Sequence, residues 1–257
     1  MKGKFGFICC LICLLAFGAV GAQDATPEAT PATEGPHLRL MLKEFDPWRM
    51  VLGSDSPTFA AYDDGLIIFK RVKDNGDVAF ASVQLPPEKL DTLLADFGVT
   101  DAFYKLNDYY ETVGKTDQPS SVITVIDERG ATKQVSVYGS LRQDEEARRN
   151  APAAYLKAYD SIDQYDPAAA KTWLPEQFEV VLWAYDHASD AVNWPKDWPG
   201  LDDPTTIRRD EVYSLYVDMD QYERFQKLVK DGSALKLDGK TWAFTVRFPF
   251  PHEHQPA

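Results

Sequence analysis

The side chains of this 257-residue chain whose types and spacing could support chemistry are its carboxylates, its four histidines and one pair of tryptophans. His252 and His254, two residues apart, could face one side of an extended segment and ligate zinc or copper if His37 or a carboxylate joined them. The pair lies between Pro251 and the end of the sequence, where ligand geometry would be loose, so no metal and no cofactor is expected. Asp218 and Asp220 resemble carboxylate pairs that hold a divalent ion. However, Asp220 followed three residues later by Glu223 carries the two side chains of a capping box, and that structural role at a helix start is expected of them.

Asp63 with Asp64 and Asp202 with Asp203 are explained by turn formation, although converging loops of this kind could hold calcium. Two carboxylates across a cleft could also divide acid and base roles in a hydrolase. With 40 acidic residues, a chance pair is nearly assured. There is no GxSxG elbow, no HExxH helix and no phosphate-cradling glycine loop, and no catalytic residue is assigned.

The most unusual local signal is Trp194-Pro195-Lys196-Asp197-Trp198-Pro199-Gly200, which repeats Trp-Pro four residues apart. Proline stiffens both positions, and each indole offers a rigid apolar face with one hydrogen-bond donor. Sugar rings or a partner's aliphatic patch stack on such faces, so Trp194 and Trp198 are the expected ligand-binding residues. The alternative is that both rings fold inward and anchor a long loop.

These groups sit in a chain that begins like an exported one. Lys2 and Lys4 precede an apolar run from Phe5 to Val20, and Val20 and Ala22 are small enough for a signal peptidase cut. The run is short of the roughly 20 residues that span a bilayer and no basic stop-transfer cluster follows it, so residues 1–22 read as a cleaved signal peptide. All three cysteines lie within that run and none is placed like a lipidated first residue, so the mature chain would hold no disulfide. The net charge is −13, and cleavage removes two lysines and no acid. Such a surface repels phosphate backbones, so nucleic acid is not an expected partner, and no integral membrane segment is expected after cleavage.

Residues 23–37 hold Pro27, Pro31 and Pro36 among Thr, Ala and Glu, and read as a flexible leader. The span 38–250 reads as a single compact α+β domain, with two subdomains meeting near 165–175 if it divides, and 251–257 as a flexible tail. Leu38, Leu40 and Leu42 alternate as in a strand, and the turns at Asp63-Asp64-Gly65 and Asn75-Gly76 predict a three-strand meander. Pro86 and Pro87 open a helix carrying Leu90, Leu93, Leu94 and Phe97, and a second turn-linked strand pair spans Ser121–Asp127 and Thr132–Tyr138.

Asn150 is the expected cap of a helix carrying Tyr155, Leu156, Tyr159 and Ile162. Phe178–Tyr185 and Glu211–Val217 read as strands, followed by a helix with Tyr222, Phe225, Leu228 and Val229, and a hairpin turning at Asp238-Gly239. The two stretches that end in hairpins share a β-α-β-β order, through duplication or through a common packing solution. The expected architecture is therefore α+β, a largely antiparallel sheet with helices packed on one side. The expected role is an acidic secreted or periplasmic binding or structural protein whose partner is a protein or glycan. An extracytoplasmic hydrolase using paired carboxylates and a soluble domain in envelope maintenance are the alternatives.

Overall fold

Strand alternation and turn chemistry carry the fold further than helix propensity does. The computed structural model describes residues 35–49, 54–72, 78–187, 190–230, 232 and 234–253, within the compact unit Gly35–Ala257. The signal segment, most of the leader, the Asn75-Gly76 turn and His254 lie outside the described residues. The chain forms β1 (Leu38–Phe45), β2 (Pro57–Tyr62), β3 (Leu66–Val72) and β4 (Val78–Gln84), then helices α1 (Leu90–Asp96) and α2 (Asp101–Tyr104). Next come β5 (Tyr109–Glu111), β6 (Ser120–Ile126), β7 (Thr132–Tyr138), α3 (Glu145–Asn150), α4 (Ala153–Asp163) and β8 (Lys171–Trp173). The remainder is β9 (Gln177–Ala184), β10 (Ala191–Asn193), β11 (Ile207–Arg209), β12 (Val212–Asp218), α5 (Tyr222–Val229), β13 (Ala234–Leu237) and β14 (Lys240–Arg247).

These strands make an eight-stranded sheet in the order β5-β7-β6-β1-β2-β3-β4-β8 and a six-stranded sheet in the order β10-β13-β14-β9-β12-β11. Each is mixed, because β5 pairs with β7 and β10 with β13 in parallel while the other pairs are antiparallel. The α+β expectation of one antiparallel sheet with helices along one side is thereby overturned: the protein is mostly β, and the longest helix among the described residues has 11 residues. The elements responsible, β5, β8, β10 and β11, have three residues each, too few to display a period of two.

Burial explains why the central strands are so apolar. Phe59, Ala61, Ile67 and Phe69 join Leu40, Leu42 and side chains of α1, α2, α3 and α4 in one core. Ala60, Tyr62 and Ile68, on the opposite face of the same strands, pack with Phe250. A strand covered on both faces loses its alternation, and β2 reads as a continuous run for that reason. Gly65 turns β2 into β3 at φ +86°, where a Cβ would fall 2.1 Å from the Leu85 carbonyl oxygen.

Both β-α-β-β stretches enter their helix through a 3₁₀ turn, Pro87–Lys89 in one and Met219–Gln221 in the other. Their hairpins dock in opposite senses. In the first sheet the leading strand β6 lies against β1, whereas in the second the trailing strand β14 lies against β9. The shared order of elements therefore does not extend to a shared topology.

Two helix starts differ from expectation. Asp220 makes no capping bond to the backbone; it accepts a hydrogen bond from Gln221 Nε2 at 3.1 Å, and Glu223 pairs instead with Lys227 at 2.7 Å. The 3₁₀ entry moves the start of α5 to Tyr222, past the position from which Asp220 could cap it. Asn150 closes α3 and donates to the Thr112 carbonyl at 2.8 Å, while α4 starts from Pro152. The charged segment before it is itself helical, capped by Asp144, which accepts from the amides of Glu146 and Ala147. Among the described residues no helix is long and apolar enough to cross a membrane.

Candidate functional site

Where the end of β14 approaches β1, the two sheets frame a cleft of about 750 Å³. Its lining brings hydroxyls from Ser54, Ser56, Thr58, Ser120 and Ser140 together with the cations Arg49, Lys70, Arg142 and Arg247. Phe80, Tyr222 and Phe248 supply apolar surface, and Trp48, 76% exposed, stands at the edge. The Trp48 amide donates to Asp46 Oδ1 at 2.9 Å, an Asx turn that sets the direction of the chain carrying the indole.

The Glu44 and Asp55 carboxylates of this cleft are already committed. Glu44 accepts from the Tyr159 hydroxyl at 2.7 Å and from Arg142 Nε and Nη2 at 3.0 and 2.9 Å. Burial works against the Arg142 charge, but the Glu44 bonds and carboxylate outweigh it and hold the guanidinium above its ordinary range. Asp55, 3% exposed, is paired with Arg49. Lys70 differs: it is exposed, and among the described residues no carboxylate lies within ion-pair distance of it.

Behind the cleft, Glu179 of β9 lies between its cross-strand neighbours Tyr216 and Arg247. Only 2% of its side chain is exposed, and its carboxylate meets Arg247 Nη1 at 3.2 Å. Arg247 also pairs with Glu253, while its Nε, fully buried, has no hydrogen-bond partner. Burial, followed by the Glu179 charge, pushes the Tyr216 phenol up to about 12. Burial and Arg247 together lower the Lys43 ammonium.

The segment beyond β14 is docked here. Phe250, fully buried, contacts Phe80 and Trp173 with ring centroids 5.2 Å away in each case. The Tyr62 hydroxyl and His252 Nδ1 are 2.7 Å apart. Burial raises the phenol and lowers the imidazole, so the contact joins two neutral groups and the ring tautomer sets which of them donates. The expectation of a solvated histidine pair is corrected for His252. Among the described residues there is no group of three or more His, Cys, Asp or Glu able to hold a metal.

Because the folded state depresses the His252 pKa, the stability gained from neutral His252 is present above the unfolded value of about 6.5 and is lost as pH falls through the folded value. Glu253 opposes this depression, and Arg247 and Lys43 add to it. His252→Gln, which keeps a polar side chain without a titrating group, should flatten the loss of denaturant midpoint between pH 7.5 and pH 5. An unchanged pH slope in H252Q would assign the acid sensitivity to other groups.

Trp194 and Trp198 lie elsewhere, in the core of the second sheet, 6% and 8% exposed. Their ring centroids are 5.1 Å apart, and both contact Phe225. Trp194 Nε1 donates to the Pro199 carbonyl at 2.9 Å, closing the loop on itself. Sequence reasoning passed over Trp48, although Asp46-Pro47 before it is a turn signal. It also passed over Glu179 and Arg247, which carry no local signal because their pairing is a cross-strand event.

Residues 56–165, under half of the chain, are similar to a family described as Domain of unknown function (DUF6438). The matched stretch holds β2 to β7 and α1 to α4, and so contributes one wall of the cleft, while β1 and the second sheet lie outside it. No curated protein and no solved structure matches the chain.

Proposed function

We propose that this chain is an exported, non-catalytic binding protein that holds a neutral glycan in the cleft between its two sheets. The observation that carries this reading is Trp48, an indole 76% exposed on a turn at the edge of a hydroxyl-lined cleft. A sugar ring presents an apolar face to an aromatic platform and a rim of hydroxyls to Ser, Thr and Lys side chains, so such a lining suits it. Export rests on the basic start, apolar run and small residues of the first 22 positions.

The partners of two acids in the cleft support binding over hydrolysis by paired carboxylates. A general acid must be held protonated, with its pKa raised. In this cleft the Glu44 carboxylate is instead occupied by Arg142 and Tyr159, and that of Asp55 by Arg49.

The test titrates neutral hexasaccharides (maltohexaose, cellohexaose and chitohexaose) into the mature protein by calorimetry, alongside an intact mass of the native species. One hexasaccharide should bind, and Trp48→Ala should weaken it by about 2 kcal/mol, roughly thirtyfold, with the melting temperature unchanged. The mass should begin at Gln23. Failure of all three sugars to bind, or full binding by W48A, would overturn the glycan reading, and retention of Met1 to Ala22 would overturn export.

A further inference from the structure

We infer that the second sheet carries a separate binding groove for an acidic polysaccharide, formed between the 193–200 loop and the β13–β14 hairpin. The groove encloses about 1090 Å³ and shares no lining residue with the cleft. Its walls hold Lys196, Lys236, Lys240 and Arg224, with Asp238 the one acidic residue among the described lining. In a chain of net charge −13, that is a local reversal of sign.

The cations do not serve equally. Arg224 is bound through both Nη atoms to Asp197, at 2.6 and 3.0 Å, and lies over the Trp198 ring at 5.0 Å. It is neutralised and holds the loop in place. Lys196, Lys236 and Lys240 are exposed, and no carboxylate among the described residues lies within ion-pair distance of them. Three ammonium groups against one carboxylate leave the groove positive.

Backbone pairing ties together the frame that presents them. Asp238 and Gly239, at φ 52° and 75°, make the two-residue turn that brings Leu237 opposite Lys240. Parallel pairing of Asn193 with Lys236 and the 2.9 Å bond from the Trp194 amide to the Lys236 carbonyl join loop to hairpin. The buried indoles thus position lysines instead of offering their own faces.

An open groove with exposed ammonium groups and no enclosed donor set does not select a single small anion; it suits an extended polymer with spaced charges, one side of which stays in water. Duplex DNA, with a phosphate charge about every 1.7 Å of axis, meets strong repulsion from the rest of this surface. A chain of sugar acids carries a lower charge density, and its rings can lie along Pro195, Gly200 and Asn193 between the lysines. The Asp238-Gly239 turn presents no apolar side chain to insert into a lipid surface.

The experiment titrates oligogalacturonate into the mature protein at 50 and 200 mM salt. Maltohexaose, single-stranded DNA and phosphatidylglycerol vesicles are the comparison probes. Oligogalacturonate should bind, more weakly at the higher salt, and Lys196→Glu with Lys240→Glu should reduce affinity about tenfold or more while W48A retains it. If the double glutamate variant melts early, K196Q/K240Q should still lose most of the affinity with the melting temperature preserved. No binding of oligogalacturonate at 50 mM salt, full binding by the charge variants, or tighter binding of DNA or vesicles would each overturn the inference. Loss of hexasaccharide binding in W48A with oligogalacturonate binding intact would separate this groove from the cleft.

Discussion

Trp194→Ala and Trp198→Ala should each lower unfolding stability by about 3–5 kcal/mol, the range for truncating a large buried aromatic. Both rings lie in the core of the second sheet beside Phe225, and Trp194 also closes its loop through the indole bond to Pro199. Truncation leaves a void against Phe225 and frees the 193–200 loop from its anchor. Trp194→Ala also leaves the Pro199 carbonyl without the indole donor. Denaturant midpoints should fall with little change in the slope of the transition, because the surface exposed on unfolding stays nearly the same. Trp194→Phe should recover part of the loss through volume alone. A normal midpoint in both alanine variants, with loss of ligand binding, would contradict the anchoring role and restore the indoles as a contact surface.

Glu179→Ala should lower stability by about 3–5 kcal/mol, because it strips a buried guanidinium of its closest carboxylate on the same sheet. Arg247 is 12% exposed, its Nε already lacks a partner, and its charge adds to burial in lowering the nearby Lys43 ammonium. Removing Glu179 would leave Arg247 dependent on Glu253, which also accepts the Phe250 amide at 2.8 Å. Replacing both members, Glu179→Leu with Arg247→Met, should be less damaging than Glu179→Ala alone, since no uncompensated buried charge then remains. Chemical denaturation of the three variants checks this. A double variant no more stable than E179A would mean that Glu253 and the Phe248–Glu253 segment require Arg247 more than Arg247 requires Glu179.

Several local features were legible because they are decided within a few residues. The Asp238-Gly239 and Asp63-Asp64-Gly65 turns occur where the sequence places them, since their backbone angles suit Gly and Asp. The strand opening at Leu38 and the strands bordering Arg129-Gly130 were equally plain, although a register shift after Leu38 turns that side chain to the Phe250 cluster and away from Leu40 and Leu42. Helix starts were read less well. A capping box at Asp220 and Glu223 is the same two side chains whether or not a 3₁₀ turn intervenes, and the backbone conformation after Asp218 decides which occurs.

By itself the sequence determined an acidic, strand-rich chain with an export-like start, punctuated turns and no established catalytic motif, because composition, charge and period-two patterning are properties of short stretches. Only the tertiary structure decided that there are two mixed sheets, that three-residue strands complete them, and that β2 and β3 are covered on both faces. It also decided that Trp194 and Trp198 are buried, that Trp48 is exposed, and that Glu179 meets Arg247 across adjacent strands. These outcomes depend on pairing between segments as many as 190 residues apart, as for Tyr62 and His252. Side-chain type is the same in either environment, and only the neighbours brought by the fold set its burial and its partner.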